Sequence, residues 1–156
     1  MNDEVTIRRA VAADLPAIVR LLADDPLGQT RERYAEPLPA EYLKAFAEIE
    51  TQAGNQVLVA MAGAAVIGCL QLTLIPGLTR LGMTRAQIEG VRVSADRRGE
   101  KLGERLIFHA IDLARDAGCG LVQLTTDASR GDAHRFYERL GFAASHVGMK
   151  LVLTPR

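Results

Sequence analysis

The segment Val91-Arg92-Val93-Ser94-Ala95-Asp96-Arg97-Arg98-Gly99-Glu100-Lys101-Leu102-Gly103 carries the densest chemical signal in the chain. An apolar strand pattern ends in a basic turn, and a helical pattern starts at its far side. Backbone N–H groups at a helix start lack intrahelical partners, and the helix macrodipole adds partial positive charge. Together they bind phosphate without a dedicated side chain. Gly99 and Gly103 let a ligand approach, while Arg97, Arg98 and Lys101 attract it from a distance. A basic cap that merely solubilises the turn fits the same residues. The pattern is neither a P-loop nor a G-x-G-x-x-G fingerprint, since neither motif occurs.

Two side chains nearby in type and pattern can move protons. Glu89 sits beside Gly90 in the otherwise apolar run Ile88 to Val93, where partial desolvation would raise a carboxylate's pKa toward that of a useful base. Gln87 shares its face by the two-residue period of a strand. Tyr137, with a phenol pKa of about 10, suits a general acid. It lies at the margin of a helical stripe formed by Ala133, Phe136 and Leu140. The bland alternatives are a glutamate paired with Arg92 and a core tyrosine whose hydroxyl is satisfied by packing neighbours. His134, one turn before Tyr137, is an exposed helical histidine or a ligand contact. Ser94 and Ser129 have no adjacent His-Asp arrangement. Cys69 and Cys119 stand too far apart for a metal-ligand pair, so no metal is expected.

These groups need a scaffold, and the pattern supplies one. Val5 to Arg9 alternates as a half-buried strand. A helix follows from Asp14 and Pro16 through Leu15, Ile18 and Leu22, and a second from Pro39 through Tyr42, Phe46, Ile49 and Ala53, closed by Gly54-Asn55. Residues 24–38 read as loop. Strands are expected at Val57 to Met61, Val66 to Ile75 and up to Val93, with a bulge or close approach at Gly90. The long amphipathic helix should bury Leu102, Leu106, Ala110, Leu113 and Ala117 and end at Gly118. A short strand Leu121 to Thr125, a helix Asp132 to Leu140, and one or two final strands within Phe142 to Leu153 complete the order β-α-α-β-β-β-α-β-α-β. This is an α/β fold, one domain over residues 1–156, with a mixed, largely antiparallel sheet and helices on both faces.

Composition removes several function classes. Nineteen basic residues balance nineteen acidic ones, against a general nucleic-acid binder. Thr51 to Thr79 carries no charge, yet its Gln, Asn and Gly residues and the break at Ala62-Gly63-Ala64 make it a buried hairpin instead of a membrane span. The start Met1-Asn2-Asp3-Glu4 lacks the basic and apolar runs of a signal peptide, so a cytoplasmic setting is expected.

With these residues in view, the chain resembles the GNAT acyl-CoA N-acyltransferases. Their cofactor motif, R/Q-x-x-G-x-G/A after a strand, is matched by Arg98 and Gly103, with Lys101 at the middle glycine position. A second hallmark appears as Ala133-His134-Arg135-Phe136-Tyr137-Glu138-Arg139-Leu140-Gly141-Phe142, although Arg130 stands where an Asn is common. The resemblance implies acetyl-CoA as co-substrate, held by Val91, Arg92, Val93, Arg98, Gly99, Glu100, Lys101, Leu102, Gly103 and His134. It implies a small-molecule primary amine as acceptor, bound near Tyr34, Gln87 and Glu89, with Glu89 as base, often through water, and Tyr137 as acid. A backbone N–H at a Gly90-Val91 bulge would receive the acyl carbonyl. A homodimer is the assembly the resemblance suggests, with no nucleic-acid or membrane partner. The C-terminal run is similar to aminoalkylphosphonate N-acetyltransferases, for which Arg80, Arg85 and Arg92 could supply cations. A non-catalytic acyl-CoA-binding or sensor module on the same fold is the alternative.

Overall fold

A computed structural model describes residues 4–155. The expectation drawn from the first residues therefore lies partly outside the described part. The alternating start forms strand β1 (Val5–Arg9), and helix α1 (Leu15–Ala23) follows with Pro16 in its first turn, where a missing N–H costs nothing. Asp14 anchors this junction. Its carboxylate takes two bonds from the Arg8 guanidinium, at 2.7 and 3.0 Å, and one from the Val11 N–H at 2.8 Å. The Arg8 bonds hold the Asp14 carboxyl below its usual range, and burial opposes them.

Residues 24–38, expected as loop, contain one helical turn, α2 (Gly28–Arg31). Helix α3 (Ala40–Thr51) buries Phe46 and half-buries Tyr42 and Ile49, whereas Ala53 lies past its end and is exposed. The uncharged stretch is a hairpin, as its composition required: β2 (Asn55–Ala62) and β3 (Ala65–Ile75) pair antiparallel around Gly63, which takes a left-handed φ of 55°. A single turn, α4 (Thr79–Gly82), leads into β4 (Arg85–Val93). Helix α5 (Leu102–Asp116), strand β5 (Leu121–Leu124) and helix α6 (Gly131–Arg139) complete the described elements. The sheet runs β1-β2-β3-β4-β5, with β1 to β4 antiparallel.

Helices cover both faces of this sheet. One face packs Val59, Met61 and Cys69 against Leu15, Ile18 and Phe46 of α1 and α3. On the other lies α5, which buries Leu102, Leu106, Ile107, Ala110 and Ala114. The expected stripe drifts at its far end: Leu113 is half-buried and Ala117 exposed, because the 3.6-residue period rotates Ala114 inward instead. Gly68 permits the close approach, since a Cβ there would sit 3.0 Å from Leu106 and 3.1 Å from the Arg92 carbonyl.

The chain divides into two compact units, residues 1–123 and 124–156. The first holds the core just described. The second holds α6, whose expected inward residues Ala133, Phe136 and Leu140 are all half-buried. The final strands expected within Phe142 to Leu153 do not form in the described chain. A strand exists only where a neighbour takes up its N–H and C=O groups, and this segment forms no such ladder among the described residues. No helix among the described residues is long and apolar enough to cross a membrane.

Candidate active site

The site begins with a fault in a ladder. Between β3 and β4, Cys69 faces Arg92 and Gln71 faces Glu89, so Gly90 and Val91 together oppose Leu70. Two residues against one is a β-bulge, and Gly90 adopts the φ of 61° that its missing Cβ allows. The bulge also resets side-chain phase. Gln87, Glu89 and Arg92 all share the face of Gln71 and Cys69, although strict alternation from Glu89 would have chosen Val91 and Val93.

Beyond the bulge the strand ends where the Ser94 N–H bonds the Ile67 carbonyl at 2.9 Å. A 3-10 turn (Ala95–Arg97) and an extended Arg98 then bring the chain to α5. Gly99 has φ 89° and Lys101 φ 57°. Lys101 thus takes the left-handed conformation that the motif's middle glycine would take freely, at a cost of about 1 kcal/mol. Among the described residues, the N–H groups of Arg98, Gly99, Lys101, Leu102, Gly103 and Glu104 have no hydrogen-bond acceptor, and no side chain caps the helix. The donors expected from sequence are therefore present and unclaimed.

The side chains of the turn are less uniform than their charges suggested. Arg97 pairs with Glu100 at 3.3 Å, and the Ser94 hydroxyl bonds Asp96, holding that carboxyl below its usual range. Arg98 and Lys101 are exposed and make no ion pair among the described residues. Leu102 is buried under the turn. Arg92 reaches across to Asp25 at 3.4 Å and donates to the Val91 carbonyl at 2.8 Å, while its Nε is buried without a partner.

On the α1 and α3 face, the bulge opens into an apolar cavity of about 170 Å³ lined by Leu22, Tyr42, Phe46, Cys69, Gln71 and Gly90 among others. The Cys69 thiol there is pushed up to about 12 by burial, so it stays protonated and unreactive. Beside the cavity runs a polar strip that sequence reading missed. Gln71 Nε2 donates to Asn55 Oδ1 at 3.0 Å, Thr73 donates to the same oxygen at 3.2 Å, and Gln123 donates to Gln87 Oε1 at 3.0 Å. Polar residues two apart within the apolar β3 run were the available signal.

Glu89 is exposed, so the partial desolvation expected of it is not found, and Arg92 pairs with Asp25 instead of with this glutamate. Tyr34 is engaged elsewhere: its hydroxyl lies 2.6 Å from Arg20 and donates to Glu36 at 2.7 Å, with the Arg20 guanidinium 4.7 Å from its ring centre. No bond joins Tyr34 to Gln87 or Glu89 among the described residues. Tyr42 bonds Glu32 at 2.7 Å, and burial first, then that bond, raises its pKa.

In the second unit, Tyr137 packs edge-on against Phe136 and Phe142, with ring centres 5.1 and 5.8 Å away. His134 sits one turn earlier, its Nε2 3.3 Å from the Asp127 carbonyl oxygen. No group of His, Cys, Asp and Glu among the described residues could hold a metal.

A bulged strand that feeds an uncapped helix, on a sheet covered on both faces, leaves main-chain donors of the kind that can receive a phosphate. The sequence profile of the Acetyltransferase (GNAT) family matches residues 16–142, and the chain belongs to that family. It is 34% identical over 121 residues to the Glucosamine 6-phosphate N-acetyltransferase of Trypanosoma brucei brucei, covering 76% of this chain and 80% of that one. It is 43% identical over 60 residues to the Aminoalkylphosphonate N-acetyltransferase of Salmonella typhimurium, a match spanning 38% of this chain and only 39% of that protein. Among solved structures, a Bacillus halodurans protein described as a transcriptional regulator superposes with a TM-score of 0.94 at 50% identity, covering 96% of this chain and all of the other.

Proposed function

We propose that this protein transfers an acetyl group from acetyl-CoA to the primary amine of a small molecule by direct attack. The observation that carries the proposal is the continuity of the bulge at Gly90-Val91 with the unclaimed amides from Arg98 to Glu104. A diphosphate on those amides would place an attached thioester along β4 beside the bulge, where a ladder-free donor can take the carbonyl oxygen. Val93 and Leu102 support that seat, Arg98 and Lys101 attract its ligand, and Glu100 acts by restraining Arg97. His134 is a further cofactor contact in this reading. Direct transfer asks for no metal.

An alkyl amine arrives mostly as ammonium at neutral pH, so it must first lose a proton. Exposure of Glu89 favours relay through water, which Gln87 helps to hold. The amine nitrogen then attacks the carbonyl carbon, the C–S bond breaks, and Tyr137 gives its proton to the leaving thiolate before recovering one from solvent. Tyr34, already bound to Arg20 and Glu36, stays in the proposal only as an outer contact for the acceptor.

Two relatives act, by name, on amines that carry a phosphate or phosphonate. Arg85, half-buried two positions from Gln87 on the same face, makes no ion pair among the described residues. It is the cation offered to such an acceptor, whereas Arg92 is taken by Asp25. A cytoplasmic setting belongs to the same proposal. The test is thiol release from acetyl-CoA across a panel of small amines, with and without phosphoryl groups. Turnover with at least one amine is expected, and tight acetyl-CoA binding without thiol release from any amine would overturn the catalytic reading.

A second reading has its own support. The half-identical Bacillus halodurans protein is described as a regulator, which suits binding without turnover. The same panel separates the two.

A further inference from the structure

The cavity on the α1 and α3 face suits an occupant without charge. Its walls come from four elements, with Leu22 on α1, Phe46 and Ile49 on α3, Val57 on β2 and Cys69 on β3. No Asp, Glu, Lys or Arg lines it among the described residues. The polar atoms at its border already have partners. The Tyr42 hydroxyl donates to Glu32 at 2.7 Å and accepts the Arg33 N–H at 3.0 Å, while Gln71 Nε2 donates to Asn55 at 3.0 Å. The Gly90 carbonyl accepts the Cys69 thiol, 3.7 Å away. A phosphoryl or hydroxyl group entering this space would shed its water and gain no bond in return. A hydrocarbon chain has no such loss.

Position decides which hydrocarbon. Gly90 is at once part of the cavity wall and part of the bulge. A thioester whose carbonyl oxygen takes a donor of the bulge carries its acyl tail on the adjoining carbon, beside Gly90. The amine instead meets Glu89, which is exposed. A Cβ on Gly90 would lie 3.7 Å from Leu22 Cδ2, so a side chain at this position would reach the cavity wall. Glycine leaves that way open. Acetyl brings a single methyl group, whereas the cavity measures about 170 Å³. An apolar cavity of about 150 Å³ takes a six-carbon ring.

We infer that this cavity receives the acyl chain of the thioester, and that chains of about four to six carbons are transferred in preference to acetyl. The chemistry rests on the proposed acyl transfer; the chain length rests on the cavity. The bond changes are unaltered: C–N forms at the carbonyl carbon, C–S breaks, and the proton shed by the amine balances the one taken up by the thiolate. Each methylene removed from water strengthens binding about fourfold until the cavity is full.

The experiment pairs calorimetry with thiol release on the full chain, using straight-chain acyl-CoA thioesters from acetyl to decanoyl and the same amine panel. Dissociation constants should fall about fourfold per added methylene, and kcat/KM should rise with them, both levelling off between butyryl and hexanoyl. Ala45→Phe adds a ring to the wall from an exposed position on α3. It should cut the hexanoyl-to-acetyl ratio of both quantities by about tenfold, the worth of one or two methylenes. Leu22→Ala widens the cavity and should move the optimum to chains longer by about two carbons. The two variants act in opposite directions, so poor folding cannot imitate both. Affinity and kcat/KM that stay flat or fall beyond acetyl, in an enzyme that transfers acetyl, would overturn the inference and leave the acetyltransferase reading intact. A chain-length gain that neither variant moves would overturn it too, because the chain then lies elsewhere. Affinity that climbs to hexanoyl, with no thiol release from any amine, would sink the transferase reading and keep the cavity as the acyl-chain site.

Discussion

The proposed cofactor side and the proposed acceptor side of this site are built from different material. The turn from Ser94 to Gly103 offers main-chain amides, and two of its charged side chains are engaged within the turn, Arg97 by Glu100 and Asp96 by the Ser94 hydroxyl. The α1 and α3 face offers side chains: Gln71 and Thr73 bonded to Asn55, and Gln87 bonded to Gln123, beside a cavity lined by Phe46 and Cys69. Main-chain recognition tolerates side-chain change and needs only a backbone path. Side-chain recognition changes with each substitution, which is where a family alters its acceptors on a constant fold.

Substitutions that strike one side and spare the other sharpen that contrast. The largest effect is expected at the proposed acid. Tyr137→Phe should lower kcat by about 10²-fold or more while acetyl-CoA affinity by calorimetry changes less than twofold. Unchanged kcat would remove Tyr137 from proton transfer.

On the cofactor side, Gly103→Asp places an acid in the first turn of α5. Thermal stability should rise slightly, because a carboxylate favours a helix N-terminus by about 0.3–1 kcal/mol. Acetyl-CoA binding should weaken by about tenfold or more, as the new charge opposes phosphate. Opposite signs from one substitution mark the seat as an anion site, and a parallel rise in both would contradict it.

Away from both sides, Asp14→Asn removes a native carboxylate that Arg8 holds below its ordinary pKa. A depressed carboxyl contributes stability above its unfolded pKa and loses it as pH falls through the folded one. The variant should thus be about 1 kcal/mol less stable at pH 7, a figure kept small because Arg8 is partly exposed. The gap should close below pH 3.8 as the wild-type carboxyl takes up its proton, which melting curves against pH would reveal.

On the acceptor side, Gln71→Leu breaks the bond to Asn55 and should raise KM for the amine by about three- to tenfold, near one hydrogen bond's worth, with acetyl-CoA affinity unchanged. The smallest effect is expected from Lys101→Gly, which relieves a left-handed φ and should raise stability by up to about 1 kcal/mol. A drop in melting temperature would show that the lysine side chain contributes more than its backbone costs.

Much of this was legible in the residues. The hairpin across the uncharged stretch, the glycine at the bulge and the turn after Val93 all follow from local rules, because period, turn chemistry and glycine's conformational freedom act within a few residues. Glu89 and Tyr34 show where such rules stop. Whether a strand carboxylate is desolvated depends on what packs over it, and Glu89 is exposed. Whether a loop tyrosine faces a ligand depends on its neighbours, and Arg20 and Glu36 hold Tyr34.

By itself the sequence determined the α/β order, the strand-to-helix turn with its glycines, and the apolar content of the last residues. Tertiary structure alone decided three things: the phase reset that puts Arg92 with Glu89, the partnership of Arg92 with Asp25, and the exposure of that last segment. The reason is physical. Backbone preference is local and written in consecutive residues, whereas pairing register, burial and partnership arise from segments far apart in the chain, such as Asp25 and Arg92.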